Sequence, residues 1–136
     1  MLDNIESILR QQCGLNKDLP VIAGVSGGPD SLCLMGALRK AGYRVVVAHF
    51  NHKLRPDSDA DANIVEQTAA RLNLASVIES GEVRAFADAE KLSVEEAARI
   101  MRYRFLMGQA RRFQAQAVAV GHTADDQVET VLMHFI

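Results

Sequence analysis

The sequence predicts a three-layer α/β/α fold, a parallel sheet with helices packed on both faces. Three observations carry this. Short apolar runs rich in Val and Ala recur at 21–25 (VIAGV), 44–50 (RVVVAHF) and 117–121 (AVAVG). They are continuous rather than alternating, as strands buried on both faces are. Segments of helical spacing alternate with them, the rhythm of parallel strands joined by crossover helices. With 136 residues, 49% hydrophobic and 24% charged, the chain suits one such domain.

Residues 1–18 read as a polar, helical N-terminal extension of that domain. Pro20 and the glycines bound the first strand, 21–25. Residues 30–40 carry Leu32, Leu34, Met35 and Leu38 as a helical stripe, which Gly42 closes. The β-branched run 44–50 is the second strand, followed by a loop, NHKLRPD. A helix starting at Asp57 or Ser58 sets Ile64, Val65, Ala69 and Leu72 on one face. Residues 75–79 (ASVIE) are a weaker third strand, and a short helix fits within the polar stretch 80–92. Ser93 and Glu96 form a capping box ahead of the stripe Val94, Ala97, Met101 and Phe105. Residues 117–121 are the fourth strand, and a last helix is expected from about Asp125. That helix has no Gly stop and no polar tail at Ile136, so the single domain, 1–136, reads as truncated at its C-terminus.

Net charge is −2 and the sequence pI about 6.1, without the basic balance of a nucleic-acid-binding domain. If nucleic acid is a partner, its main docking surface is expected elsewhere. Cys13 and Cys33 fit no Cys-x-x-Cys pattern and read as reduced packing residues. No signal peptide is visible and no apolar run approaches about 20 residues. A cytoplasmic protein with no membrane partner is expected.

Ligands of parallel α/β sheets bind beyond the carboxyl ends of the strands. SGGPDS, HFNHKLRP and GHTADDQVET each follow a strand and should converge there. The first lacks the lysine of the Walker loop, and Gly24 has Pro29, not Gly, five residues later. A γ-phosphate-transferring P-loop and a GxGxxG dinucleotide loop are both excluded. What remains is coherent phosphate chemistry. Gly27 and Gly28 let amides form a concave nest, Ser26 and Ser31 add hydroxyls, and Pro29 starts a helix whose N-terminus points at the same spot. Asp30 beside phosphates would be repulsive without a cation between, so Mg²⁺ is expected with the nucleotide.

In the third segment, Asp125 and Glu129 stand four apart on the expected helix, and Asp126 and Glu129 three apart. With His122 before them, they could hold Mg²⁺ or an ammonium group; N-capping by the acids explains neither His122 nor the alignment with the first loop. His49 is an even case between binding and structure, and His52 leans to structure. Arg102, beside its helix's apolar stripe, is by pattern a solvated residue, with a phosphate clamp as the sharper option.

SGGPDS matches the PP-loop, SGGxDS, of the N-type ATP pyrophosphatases. Together with AHFNHKLRPDSDADANIVEQTAARLNL, SVEEAARIMRYRFL and VAVGHTADDQVETVLM, the set resembles the tRNA(Ile)-lysidine synthases over nearly all of 19–136. The resemblance implies a Rossmann-like, adenine nucleotide alpha-hydrolase-like domain and a cytoplasmic ligase of tRNA processing. It implies that ATP adenylates C2 of the wobble cytidine of an isoleucine tRNA with a CAU anticodon, releasing pyrophosphate. L-lysine then displaces AMP and leaves lysidine. Carried over, Ser26, Gly27, Gly28, Pro29, Asp30 and Ser31 would bind ATP phosphates and Mg²⁺, with Asp30 and Asp126 as metal ligands. Ala48, His49 and Phe50 would border the adenine. Arg102, Asp126 and Glu129 would form the lysine and reaction centre, shaped by His122 and Asp125. Asn51 departs from the family's usual Asp. Most members grip tRNA through C-terminal domains, so the tRNA would be held mainly outside 1–136. The nearest alternative is a tRNA 2-thiolation enzyme of the same superfamily, which would need suitably placed cysteines. A non-catalytic ATP-binding module is the alternative of another class.

Overall fold

A computed structural model describes residues 16–26, 28–124 and 127–134; for Pro29, Asp30 and residues 121–134 it describes the backbone alone. The elements are β1 (Pro20–Gly24), α1 (Pro29–Lys40), β2 (Arg44–Asn51), α2 (Ser58–Arg71), β3 (Ala75–Ser80), α3 (Val83–Glu90), α4 (Val94–Arg112), β4 (Ala117–Ala124) and β5 (Gln127–His134). The sheet order is β3-β2-β1-β4-β5. The first four strands are parallel, with Val21 level with Val45 and Ala117.

Alternation along the buried strands divides the core in two. Val21, Ala23, Val45 and Val47 pack with Leu34, Met35 and Leu38 of α1 and Val65 and Ala69 of α2. Ile22, Val46, Ala48, Val118 and Val120 face the other way, against Phe105, Leu106 and Ala110 of α4. The expected three layers are therefore present. A third cluster joins α3 to α4 through Val83, Ala87 and Ala97. The order places a switch between β1 and β4, since the chain leaves β1 toward β2 and later returns to its other side.

Most boundaries fall within a residue or two of expectation. Gly42 adopts φ +91°, the conformation that ends α1. The cap of α4 forms, with the Glu96 amide donating to Ser93 Oγ at 3.1 Å. Ile64 is not on the buried face of α2 but exposed, and Cys33 is exposed on α1 rather than packed. Cys13 and most of the expected N-terminal helix lie outside the described residues.

The largest departure is at the end. Gln127–His134 is not a helix but a strand antiparallel to β4, pairing Ala124 with Gln127 and Ala117 with His134. Its acids suggest a helix start, yet Val128, Thr130 and Val131 are β-branched and favour extended backbone. Pairing also fills the open edge of β4, whose amides and carbonyls would otherwise lack partners.

Candidate functional site

At the carboxyl end of β1, backbone and side chains are arranged by small residues. A Cβ on Gly24 would stand 3.2 Å from Leu106 Cδ1 and 3.5 Å from Val120 Cγ2. Glycine there lets α4 pack directly behind the loop. Beyond it, the Ser26 amide donates to Ser31 Oγ at 3.1 Å, and the two hydroxyls meet at 2.9 Å. Gly28 is the N-cap residue of α1 and has no side chain to cap it; Pro29 takes the first helical position. Helix N-termini carry partial positive charge and unsatisfied amides. Here no capping side chain takes up that capacity.

The loop opens into a cavity of about 500 Å³, the size of a small-ligand site. Ser26, Gly28 and Ser31 line one side, and Ala48, His49, Phe50 and Asn51 at the end of β2 another. Ala98, Arg102 and Leu106 of α4 form the back wall, with Val120 of β4 between. His49 is buried, and its Nδ1–H donates to the Val25 carbonyl at 2.6 Å. That bond ties β2 to the loop and, when the ring is neutral, leaves Nε2 as an acceptor. The Arg102 Nε is buried with no hydrogen-bond partner among the described residues. A buried guanidinium nitrogen without a partner is costly and calls for an anion or polar ligand.

Residues after β2 complete the mouth, and sequence reasoning passed over most of them. His52, Arg55, Asp57, Ser58 and Asp61 all line the cavity. The Leu54 amide donates to His52 Nδ1 at 3.0 Å, and Arg55 reaches Asp61 at 3.4 Å. Burial first, then the nearby charge of Arg55, His49 and Arg102, holds the His52 imidazole below its ordinary pKa. Arg55 of the following loop and Arg102 of α4 therefore converge on one space, beside His49 and His52. The signal was their place directly after a strand. Asn51, the departure from the resembled pattern, is buried and doubly used. Its amide donates to Asp59 at 2.8 Å, and its carbonyl accepts from the Lys53 amide at 3.1 Å.

Ser26, Gly28, Ser31, Ala48, His49, Phe50 and Arg102 thus share one cavity, as expected of two of the three converging segments and of α4. Gly27, Asp125 and Asp126 lie outside the described residues, as do the side chains of Pro29, Asp30, His122 and Glu129. In backbone register His122 stands opposite Glu129 across the β4–β5 ladder, so the helical spacing of the acids is not what relates them. Among the described residues, no group of three or more His, Cys, Asp or Glu could hold a metal ion. Nor is any helix among them long and apolar enough to cross a membrane.

The model of the PP-loop domain family matches residues 1–136. The chain is 38% identical over 141 aligned positions to a tRNA(Ile)-lysidine synthase of Dehalococcoides mccartyi, covering all of this chain and 30% of that protein. It is 46% identical over 113 positions to that of Deinococcus deserti, covering 83% and 21%, and 42% over 117 to that of Thermus thermophilus, covering 86% and 23%. It therefore spans a third or less of these relatives' length. In fold it is similar to the U34-tRNA thiolase NcsA from Methanococcus maripaludis (TM-score 0.75, 14% identity, 92% of this chain and 46% of that one). A second fold match is the NMN synthetase of Francisella tularensis (TM-score 0.64, 20% identity, 86% and 51%). With its SGGPDS turn between β1 and α1 and its family match along the whole length, the chain belongs to the PP-loop family of ATP-utilising domains.

Proposed function

We propose that this chain is the nucleotide-handling part of a tRNA(Ile)-lysidine synthase. ATP adenylates C2 of the wobble cytidine of an isoleucine tRNA with a CAU anticodon, with loss of pyrophosphate. The ε-amine of free L-lysine then displaces AMP. The observation that carries the reading is the uncapped α1 N-terminus with Ser26 and Ser31, facing the same cavity as His49 and Arg102. Cleavage between the α- and β-phosphates places negative charge on a departing pyrophosphate. Amides and hydroxyls fixed in advance stabilise such charge without a loop lysine. The two serine hydroxyls, bonded to each other here, would turn to phosphate oxygens. Arg102, with its Nε unsatisfied, would face the charge from the opposite wall.

Mg²⁺, held by Asp30 and Asp126, would supply positive charge between those carboxylates and the phosphates. The attacking lysine amine must be neutral, so an acid among Asp126 and Glu129 is assigned as its base, with His122 and Asp125 shaping the centre. Thiolation by the same fold is the weaker reading. Cys33, the one cysteine among the described residues, is exposed on α1 and does not line the cavity.

The test uses the complete protein that carries this chain, with α-labelled ATP, Mg²⁺ and a CAU-anticodon isoleucine tRNA transcript, with and without L-lysine. Lysine-dependent AMP and no ADP is the expected result. ADP as product, or no turnover despite ATP binding, would overturn the proposal.

A further inference from the structure

The net charge of −2 conceals a strong segregation. Between Ala97 and Arg112 there are five arginines and no acid, a charge of +5 against −7 for the remainder. Arg102 turns toward the cavity, whereas Arg99, Arg104, Arg111 and Arg112 are exposed. Arg99, Arg104 and Arg111 rim a shallow groove of about 620 Å³ floored by Ile100, Tyr103 and Met107, with Glu96 at its N-terminal end. At 100° and 1.5 Å per residue the three cover about 140° of α4 and run ~18 Å along it.

Ion pairing does not account for these arginines, although Arg104 also lies 5.5 Å from the Phe86 ring of α3. The ion pairs among the described residues are Lys53–Asp59 and Arg55–Asp61, and neither touches α4. Arg111 is in the last turn, where the helix dipole favours a cation, but that explanation does not reach Arg99 or Arg104. Arg99 lies 5.7 Å from the Tyr103 ring, and Arg102 lies 5.6 Å from the same ring. Tyr103 therefore links the groove to the cavity wall.

We infer that this face of α4 is a docking track for the sugar-phosphate backbone of RNA, leading toward the cavity. Charge complementarity selects the occupant. Arginine forks suit phosphate, and an aromatic ring flanked by guanidinium groups suits a stacked base. Net charge alone does not register this clustering. The inference rests on the proposed function only in taking RNA as the macromolecular substrate.

The test uses the complete protein without ATP or lysine, so it stands whether or not lysine transfer is found. Binding of two labelled RNA stem-loops of equal length, one with CAU in its loop and one unrelated, is measured from 50 to 200 mM KCl. The Arg99→Gln/Arg104→Gln/Arg111→Gln variant should bind both about tenfold more weakly, with a log–log salt slope shallower by about 2. The corresponding triple Arg→Lys variant should keep the slope, and ATP binding should be unchanged in both. Wild-type affinity and slope in the Gln variant would overturn the inference. So would weaker binding with an unchanged slope, or a lowered melting temperature with unchanged RNA binding, the sign of a face covered by protein.

Discussion

Helices α1 and α4 begin in opposite ways. Ser93 closes the start of α4, its Oγ accepting from the Glu96 amide, with Glu95 and Glu96 in the first turn. Gly28 opens the start of α1, and beside it two serine hydroxyls bond to each other and one of them to the Ser26 amide. A side-chain cap contributes about 1 kcal/mol, and α1 lacks one, as α2 and α3 do. What sets the α1 start apart is its hydroxyl pair and its place on the cavity. At α1 the donors left open face the cavity.

The sharpest way to break this contrast is to remove the hydroxyls. Ser26→Ala with Ser31→Ala should cost roughly 3 kcal/mol of ATP binding, ~100-fold in Kd by calorimetry, because hydrogen bonds to charged groups are worth about 1.5–3 kcal/mol each. Its thermal midpoint should hardly move. An unchanged Kd would mean that the serines are only a turn.

Asn51→Asp is next. It removes an amide donor from a buried site and sets a carboxylate against Asp59, 2.8 Å away. A loss of about 2 kcal/mol is expected in urea unfolding. No loss would show that the Asn51–Asp59 bond is not what holds the loop after β2.

Ser93→Ala should cost about 1 kcal/mol of stability and leave ATP affinity alone, the mirror image of the α1 double variant. A change in ATP affinity would blur the division between the two helix starts.

The smallest effect is at His52. Its pKa lies below the ordinary imidazole value, first through burial and then through Arg55, His49 and Arg102. The folded state thus favours the neutral ring. That contribution to stability is present above the ordinary value and is lost as pH falls through it toward the folded value. A bound polyphosphate should offset the cationic neighbours and move the His52 midpoint upward in an NMR titration. A midpoint indifferent to ATP would place the phosphates away from these cations.

How much of this was legible follows from the physics of each region. The parallel strands were, because burial on both faces leaves continuous Val and Ala runs. The loop was, because Gly28, Pro29 and the serines carry their geometry locally. The terminal segment was not. Acids and Gln at 125–129 imitate a helix start and mask the β-branched Val128, Thr130 and Val131, which pair along the open edge of β4. Arg55 and Asp61 were also missed, since an exposed Arg–Asp pair looks like ordinary surface until the fold brings it to the cavity mouth. Gly24 carried no signal either, because its role is set by Leu106, distant in sequence.

The central claim is that the α1 loop holds the pyrophosphate end of ATP. The most direct measurement is competition between inorganic pyrophosphate and labelled ATP for the protein in the presence of Mg²⁺. The account predicts that pyrophosphate alone displaces ATP, and that Ser26→Ala with Ser31→Ala weakens both ligands together. ATP binding that pyrophosphate cannot displace, and that survives the double substitution, would contradict it.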